Sequence, residues 1–303
     1  MGNRMKQDRK EASSTVLAYQ VGYLAILLIY FLIQGVLPRY DVLLGGLLLI
    51  PLWYFSRHTV LQDLIPFIMI LITYESLRGF SDGIRFTDIH IEDLIAFEKS
   101  LFGGTIPAHY LQSTLMQGSL GTLLNYLTTV FYASHYFVPV TVAILLWYRA
   151  PSRYWPFVIG FILVSYIGFA IYLFFPAAPP WWATKYGYLV DQPVNLPDSF
   201  VNMAALASKI SPNKVAAIPS LHMSFPTYTI LYCIYVWGKK AAWLFVLPFC
   251  VGFSTIYLGH HYIIDLLAGG LLSLSVFSGV LVVQGNWTQV QERAEQRGQR
   301  RLA

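Results

Sequence analysis

The chain has 303 residues, of which 56% are hydrophobic and only 12% charged, with a formal net charge of +5. A soluble domain carries about twice that charged fraction, so the composition excludes an ordinary soluble fold and points to the membrane class. The basic residues gather at the ends of apolar segments rather than along one stripe, which excludes a nucleic-acid partner. The two cysteines, Cys233 and Cys250, sit inside apolar runs as small core hydrophobes and cannot form a disulfide framework.

A membrane-spanning helix needs roughly 20 mostly apolar residues. Eight segments answer to this: 16–37, 40–55, 60–79, 123–148, 154–175, 220–237, 241–258 and 262–284. The second is the weakest, being short and carrying glycines and Pro51. The first is too long an apolar stretch for a cleaved signal peptide, and no small-residue cleavage site follows it. The expected fold is all-α: a polytopic membrane helical bundle with about six to eight transmembrane helices. Its parts are a cytoplasmic tail (1–15), an N-terminal transmembrane and interfacial region (16–122), a second membrane domain (123–284) and a basic cytoplasmic tail (285–303).

Two long stretches lie between spans. In the first, residues 88–101 place Ile89, Ile91, Leu94, Ile95, Phe97 and Leu101 among acids, the pattern of an amphipathic helix lying along the membrane surface. Gly103-Gly104 and Pro107 then break the run. The second stretch begins Phe175-Pro176-Ala177-Ala178-Pro179-Pro180-Trp181-Trp182, and its tryptophans suit the headgroup level. The tail from 286 is polar and basic, fit to touch anionic lipid. Its Asn286-Trp287-Thr288 matches a glycosylation acceptor that a cytoplasmic tail would not expose to that machinery. There is no internal repeat.

With the N-terminus in the cytoplasm, 13 of the 20 basic residues fall on inner segments, and Arg39, Arg78, Arg85, Lys99, Lys185, Lys209 and Lys214 on outer ones. This is the positive-inside arrangement. Both long stretches then face outward, and so do His222 and His261, each at the outer start of a span. An even number of crossings separates the two histidines, so they share a side even if 40–55 does not span.

His261 and Asp265 are four residues apart and share a helix face. A carboxylate bonded to one imidazole nitrogen fixes the tautomer and leaves the other nitrogen free to attack. The same pair also reads as a hydrogen-bonded helix cap. A metal site of His260, His261 and Asp265 is disfavoured, because adjacent residues on a helix point about 100° apart. His222 follows Pro219-Ser220 at a helix start, where free N–H groups and the dipole attract phosphate. Ser220 either caps that helix or binds a phosphate oxygen. In so apolar a chain these ionisable residues are costly unless used.

This constellation resembles the type 2 phosphatidic acid phosphatase superfamily, whose pattern comprises a lysine/arginine motif, Pro-Ser-x-His, and Ser-Arg-(x5)-His-(x3)-Asp. The second motif matches Pro219-Ser220-Leu221-His222. The third matches Ser254-Thr255, five residues, His261, three residues, Asp265. Thr255 stands where the family has arginine, Leu221 where glycine is commoner, and no clean first motif is found. These departures, with Ala217–His222, His260–Gly269 and the aromatic loop, are similar to the branch containing the inositol phosphorylceramide synthases. The resemblance makes 123–284 the catalytic membrane domain.

What the resemblance implies is a lipid phosphate ester as substrate. His261 would be the nucleophile forming a phosphohistidine, Asp265 its support and His222 the proton donor, with no metal or cofactor required. Ser220, Ser254, Thr255 and Tyr257 stand as candidates around the phosphate. Arg78 is the first choice for its missing cation, followed by Arg85, Lys185 and Lys214; each reads equally as a snorkelling anchor, and Glu75 can pair with Arg78. The acceptor decides between a phosphotransferase, which the branch favours, and a phosphatase. A non-catalytic transporter or lipid-binding protein is the alternative of another class. The expected setting is a bacterial inner membrane with the site on the extracytoplasmic side. The sequence does not set the oligomeric state.

Overall fold

The computed structural model describes residues 59–78, 86–197 and 214–302, together with Ala18, Gly22 and Ala25. Contacts divide the chain into two units, Met1–Ile84 with Leu206–Asn213, and Arg85–Ala205 with Lys214–Ala303. In the first, α1 (Thr59–Arg78) forms where the segment 60–79 predicts a helix. Its Ile65, Phe67, Met69 and Ile70 are buried. Apart from Ala18, Gly22 and Ala25, the segments 16–37 and 40–55 lie outside the described residues.

Among the described residues, the regular elements of the second unit longer than an isolated bridge are all helices. It comprises α2 (Glu92–Leu101), α3 (Pro107–Leu115), α4 (Gly118–Arg149), α5 (Pro151–Phe174) and α6 (Pro180–Lys185). It continues with α7 (Leu221–Trp237), a 3₁₀ helix (Lys239–Phe245) running into α8 (Val246–Tyr257), and α9 (Ile263–Leu302). Proline supplies the first turn of α3, α5 and α6, where its missing N–H costs nothing. Four stretches among the described residues are long and apolar enough to cross a membrane: Gly118–Arg149, Pro151–Phe174, Lys239–Tyr257 and Ile263–Gly285. The segment predicted at 220–237 is also helical, but α7 has only 17 residues. It is therefore about 26 Å long, slightly short of a hydrocarbon core.

That short helix is the centre of the unit, packed against α4, α5, α8 and α9. It is apolar all round, so no amphipathic face dictates its orientation. Small and hydroxyl side chains do so instead. Ser224 Oγ donates to Gly269 O at 2.9 Å, and Ser273 Oγ donates to Ser224 O at 2.8 Å. A Cβ on Gly269 would stand 2.3 Å from Ser220 O, so only glycine lets α9 come this near to α7. Further along α7, Tyr228 and Tyr232 donate to the carbonyls of Phe157 and Arg153 on α5, both at 3.1 Å.

The segment 88–101 departs from the surface-lying helix expected of it. Leu94 and Ile95 of α2 are buried with Ile106, Val194, Ile256 and Tyr262. The apolar stripe thus finds protein, while Phe97 and Leu101 stay exposed. Three connecting stretches are stitched together at the same end of the unit. His90 bridges to Ala177 and Ala177 to Ala216 in parallel fashion, through bonds such as Ala177 N–H to Val215 O at 2.8 Å. The last of these connections leads directly into α7 and His222.

Candidate active site

His222 lies in the first turn of α7. Ser220 is the N-cap, its hydroxyl accepting the Met223 N–H at 3.3 Å. The preceding carbonyl, Pro219 O, accepts the Tyr172 hydroxyl of α5 at 2.7 Å. Ser220 N–H donates to Asp265 O at 2.9 Å, which ties the start of α7 to the start of α9. His261 enters from the other side. The turn after α8 needs a positive φ of 74° at Gly259, where a Cβ would also meet Val194 Cγ1 at 2.5 Å. Gln112 of α3 holds this turn, donating to both Tyr257 O and Asn195 O.

The two imidazoles meet directly. His222 Nδ1 lies 3.0 Å from His261 Nε2, and His261 Nδ1 lies 3.2 Å from Asp265 Oδ2. Asp265 Oδ2 also accepts the Tyr262 N–H at 2.8 Å. Asp265 is fully buried and His261 nearly so, at 3% exposure, while His222 is half-buried. The result is a line from carboxylate to imidazole to imidazole, running from the interior outward. One nitrogen of His261 is held by an acceptor, and the other faces a second proton carrier.

The hydroxyl candidates are committed elsewhere. Ser254 Oγ donates to Cys250 O at 2.6 Å and Thr255 Oγ1 to Gly252 O at 2.8 Å, both back into α8. Tyr257 donates to Asn125 Oδ1 of α4 at 2.9 Å. Lys185 is exposed at the end of α6, its ammonium 5.7 Å from the centre of the Tyr186 ring. Lys214 is exposed where the 214–220 connection begins. Arg78 closes α1 in the other unit with its side chain outside the described residues, and Arg85 lies outside them altogether.

His260 turns away from its neighbour. Its ring packs near Tyr132 at 4.9 Å and Trp181 at 6.3 Å, whereas that of His261 faces His222. Burial pulls the His260 imidazole down to about 3, with His261 adding to the effect, so it is neutral across the physiological range. Among the described residues no three His, Cys, Asp or Glu side chains group as metal donors.

Three contributors escape the sequence reading. Tyr132 and His135 of α4 flank His222, with ring centres at 4.3 and 4.2 Å, and His135 is 3% exposed. A histidine in the middle of an apolar 32-residue helix is itself a signal, because ionisable groups at membrane depth are seldom idle. The third, Glu98, is buried behind Asp265 at 1% exposure. It sits three and four residues after Ile95 and Leu94, so its place on the buried stripe of α2 was legible.

Comparison with known proteins points the same way. A family model described as "PAP2 superfamily" matches residues 92–278. Phosphoinositol dihydroceramide synthase of Bacteroides thetaiotaomicron is 29% identical over 232 residues, covering 68% of this chain and 72% of that protein. Inositol phosphorylceramide synthase of Candida albicans is 28% identical over 209 residues, 62% of this chain and 41% of its own length. The corresponding catalytic subunit of Saccharomyces cerevisiae is 28% identical over 247 residues, 77% and 59% respectively. The chain thus spans most of the bacterial relative but only about half of the fungal ones. No solved structure matches it significantly.

Proposed function

We propose, from the premise that this chain belongs to the PAP2 superfamily, that it is an integral membrane phosphotransferase. It moves a phospho-polyol from a phospholipid to a hydroxyl acceptor through a phosphohistidine. The carrying observation is the Asp265–His261–His222 line, in which His261 Nε2 is oriented from behind and met in front by His222 Nδ1 at 3.0 Å.

The chemistry follows from that line. His261 Nε2 attacks phosphorus and the P–O bond to the diacylglycerol-like alcohol breaks. His222 gives its proton to the departing alkoxide, and Asp265 stabilises the positive charge growing on His261. The acceptor hydroxyl then loses its proton to His222, attacks phosphorus and breaks the N–P bond, which restores both imidazoles. The direct contact between the two rings means that the donor phosphate parts them as it binds.

Phosphoryl transfer draws most of its rate from charge neutralisation. With the Ser254 and Thr255 hydroxyls bonded into α8, the cation comes from outside that helix, Arg78 being the first candidate and Arg85, Lys185 and Lys214 the others. The names of the relatives support phosphoinositol as the transferred group and a ceramide-type hydroxyl as the acceptor. Burial of the His261–Asp265 pair favours transfer over hydrolysis, since water must be kept from the intermediate. The distribution of basic residues supports an extracytoplasmic site.

The test uses purified protein in mixed micelles with inositol-labelled phosphatidylinositol and ceramide. The expected products are a labelled sphingolipid and little free inositol phosphate. His261→Ala abolishes both, and His222→Ala lowers turnover about 100-fold or more. Predominant release of water-soluble phosphate would establish a phosphatase instead. Full turnover by His261→Ala would sink the assignment of His261 as nucleophile, whereas a wild type that neither transfers nor hydrolyses would leave a lipid-binding or transport role.

A further inference from the structure

The start of α9 meets two carboxyl groups rather than one. Asp265 Oδ2 takes the Tyr262 N–H and faces His261 Nδ1. Glu98, reaching across from α2, takes the Ile263 N–H through Oε1 at 3.0 Å. The remaining oxygen of each, Asp265 Oδ1 and Glu98 Oε2, is buried without a hydrogen-bond partner, as is the Tyr262 hydroxyl. A helix N-terminus favours negative charge, but two desolvated carboxylates in one place repel, so the charge on one raises the cost of ionising the other.

The surroundings decide which one keeps a proton. Asp265 has two donors on one oxygen, one of them the imidazole that becomes cationic in the reaction. Glu98 has only the backbone amides of Ile263 and Ile264 near it and, among the described residues, no cation. Burial, with Asp265 adding to it, pushes the Glu98 carboxyl up to about 7 against the pull of the Ile263 and Ile264 amides.

We propose that Glu98 is a positioning residue: as a neutral carboxylic acid it anchors the first turn of α9 to α2, and it leaves the site's negative charge on Asp265, behind His261. This rests on the reading of His261 as nucleophile. The titratable groups at this place are Asp265, which acts on Glu98 directly, and Tyr262, on which Asp265, Glu98 and Asp93 all act; His261 contacts Asp265, and His90 contacts Asp93. Ionising Glu98 puts a second negative charge against Asp265 and loosens the His261–Asp265 contact.

The experiment compares wild type, Glu98→Gln, Glu98→Ala and Asp265→Asn by kcat across pH 5.5–8.5 and by infrared spectroscopy of protonated carboxyl groups. Wild type and Glu98→Gln differ only at residue 98, so the ratio of their kcat values isolates Glu98. We expect a ratio near one at pH 6 that falls at least threefold by pH 8.5, and a protonated-carboxyl band in wild type that Glu98→Gln lacks. Glu98→Ala should lose about tenfold or more in kcat with KM for the donor lipid within twofold. A flat ratio, a wild-type kcat in Glu98→Ala, or a band that survives Glu98→Gln and vanishes in Asp265→Asn would overturn the proposal. The infrared readout needs no turnover. A chain that transfers nothing but loses the band in Glu98→Gln refutes the function while keeping the proton on Glu98.

Discussion

Gly269→Ala tests whether the closeness of α7 and α9 sets the catalytic geometry. The new Cβ would lie 2.3 Å from Ser220 O, 3.2 Å from Ser220 C and 3.0 Å from Ser224 Oγ, where ordinary contact begins near 3.4 Å. Ser220 O is backbone at a helix cap and cannot rotate aside, so the helices must separate locally by about 1 Å. The same small region holds the Ser220 N–H to Asp265 O bond, the Ser224–Gly269 and Ser273–Ser224 bonds, and the 3.0 Å contact between His222 and His261. Overpacking costs about 1–3 kcal/mol, offset in part by the roughly 1 kcal/mol that alanine gains over glycine in a helix. The stability change is therefore small, whereas a 1 Å displacement of reacting groups costs on the order of 100-fold in rate. Gly270→Ala is the control, because a Cβ there meets nothing within 4 Å. The assay is phosphotransfer at saturating lipid, beside apparent unfolding temperature in micelles. We expect Gly269→Ala to lose about 100-fold in kcat with near-normal stability, and Gly270→Ala to keep its rate. A Gly269→Ala enzyme within threefold of wild type would refute the reasoning.

Gln112→Ala removes the two donors to Asn195 O and Tyr257 O and the acceptor for Asn195 N–H. Leaving those buried backbone groups unsatisfied should cost about 1–3 kcal/mol and expose the 186–197 connection to limited proteolysis; an unchanged proteolysis rate would count against the clamp. Glu98→Gln should also alter stability with pH. The folded chain holds on Glu98 a proton that the unfolded chain releases from 4.5 upward, up to a folded value of about 7. Wild type therefore loses stability as pH rises through that window, by about 3 kcal/mol in all, and the glutamine variant escapes the loss. Parallel curves of unfolding temperature against pH for the two proteins would show that Glu98 does not titrate there.

The sequence by itself determined the class of fold and most of its helices. Long apolar runs at 123–148, 154–175 and 262–284 leave backbone polar groups no partner in lipid except a helix of their own, so these elements follow from composition alone. The i, i+4 spacing of His261 and Asp265 and the proline-serine turn before His222 are likewise local patterns. Uniform apolarity, however, carries no direction. The apolar residues of α7 do not say which side faces α9; Gly269 meeting the Ser220 carbonyl and the hydroxyls of Ser224 and Ser273 decide it. Glu98 shares the face of Leu94 and Ile95, which its spacing shows, but that this face meets the start of α9 some 165 residues away is in no local pattern. Tyr132 and His135 reach His222 only through the crossing of α4 with α7. Helix formation is written residue by residue, whereas the meeting of two imidazoles at 3.0 Å depends on how several such helices pack, and that belongs to no one segment.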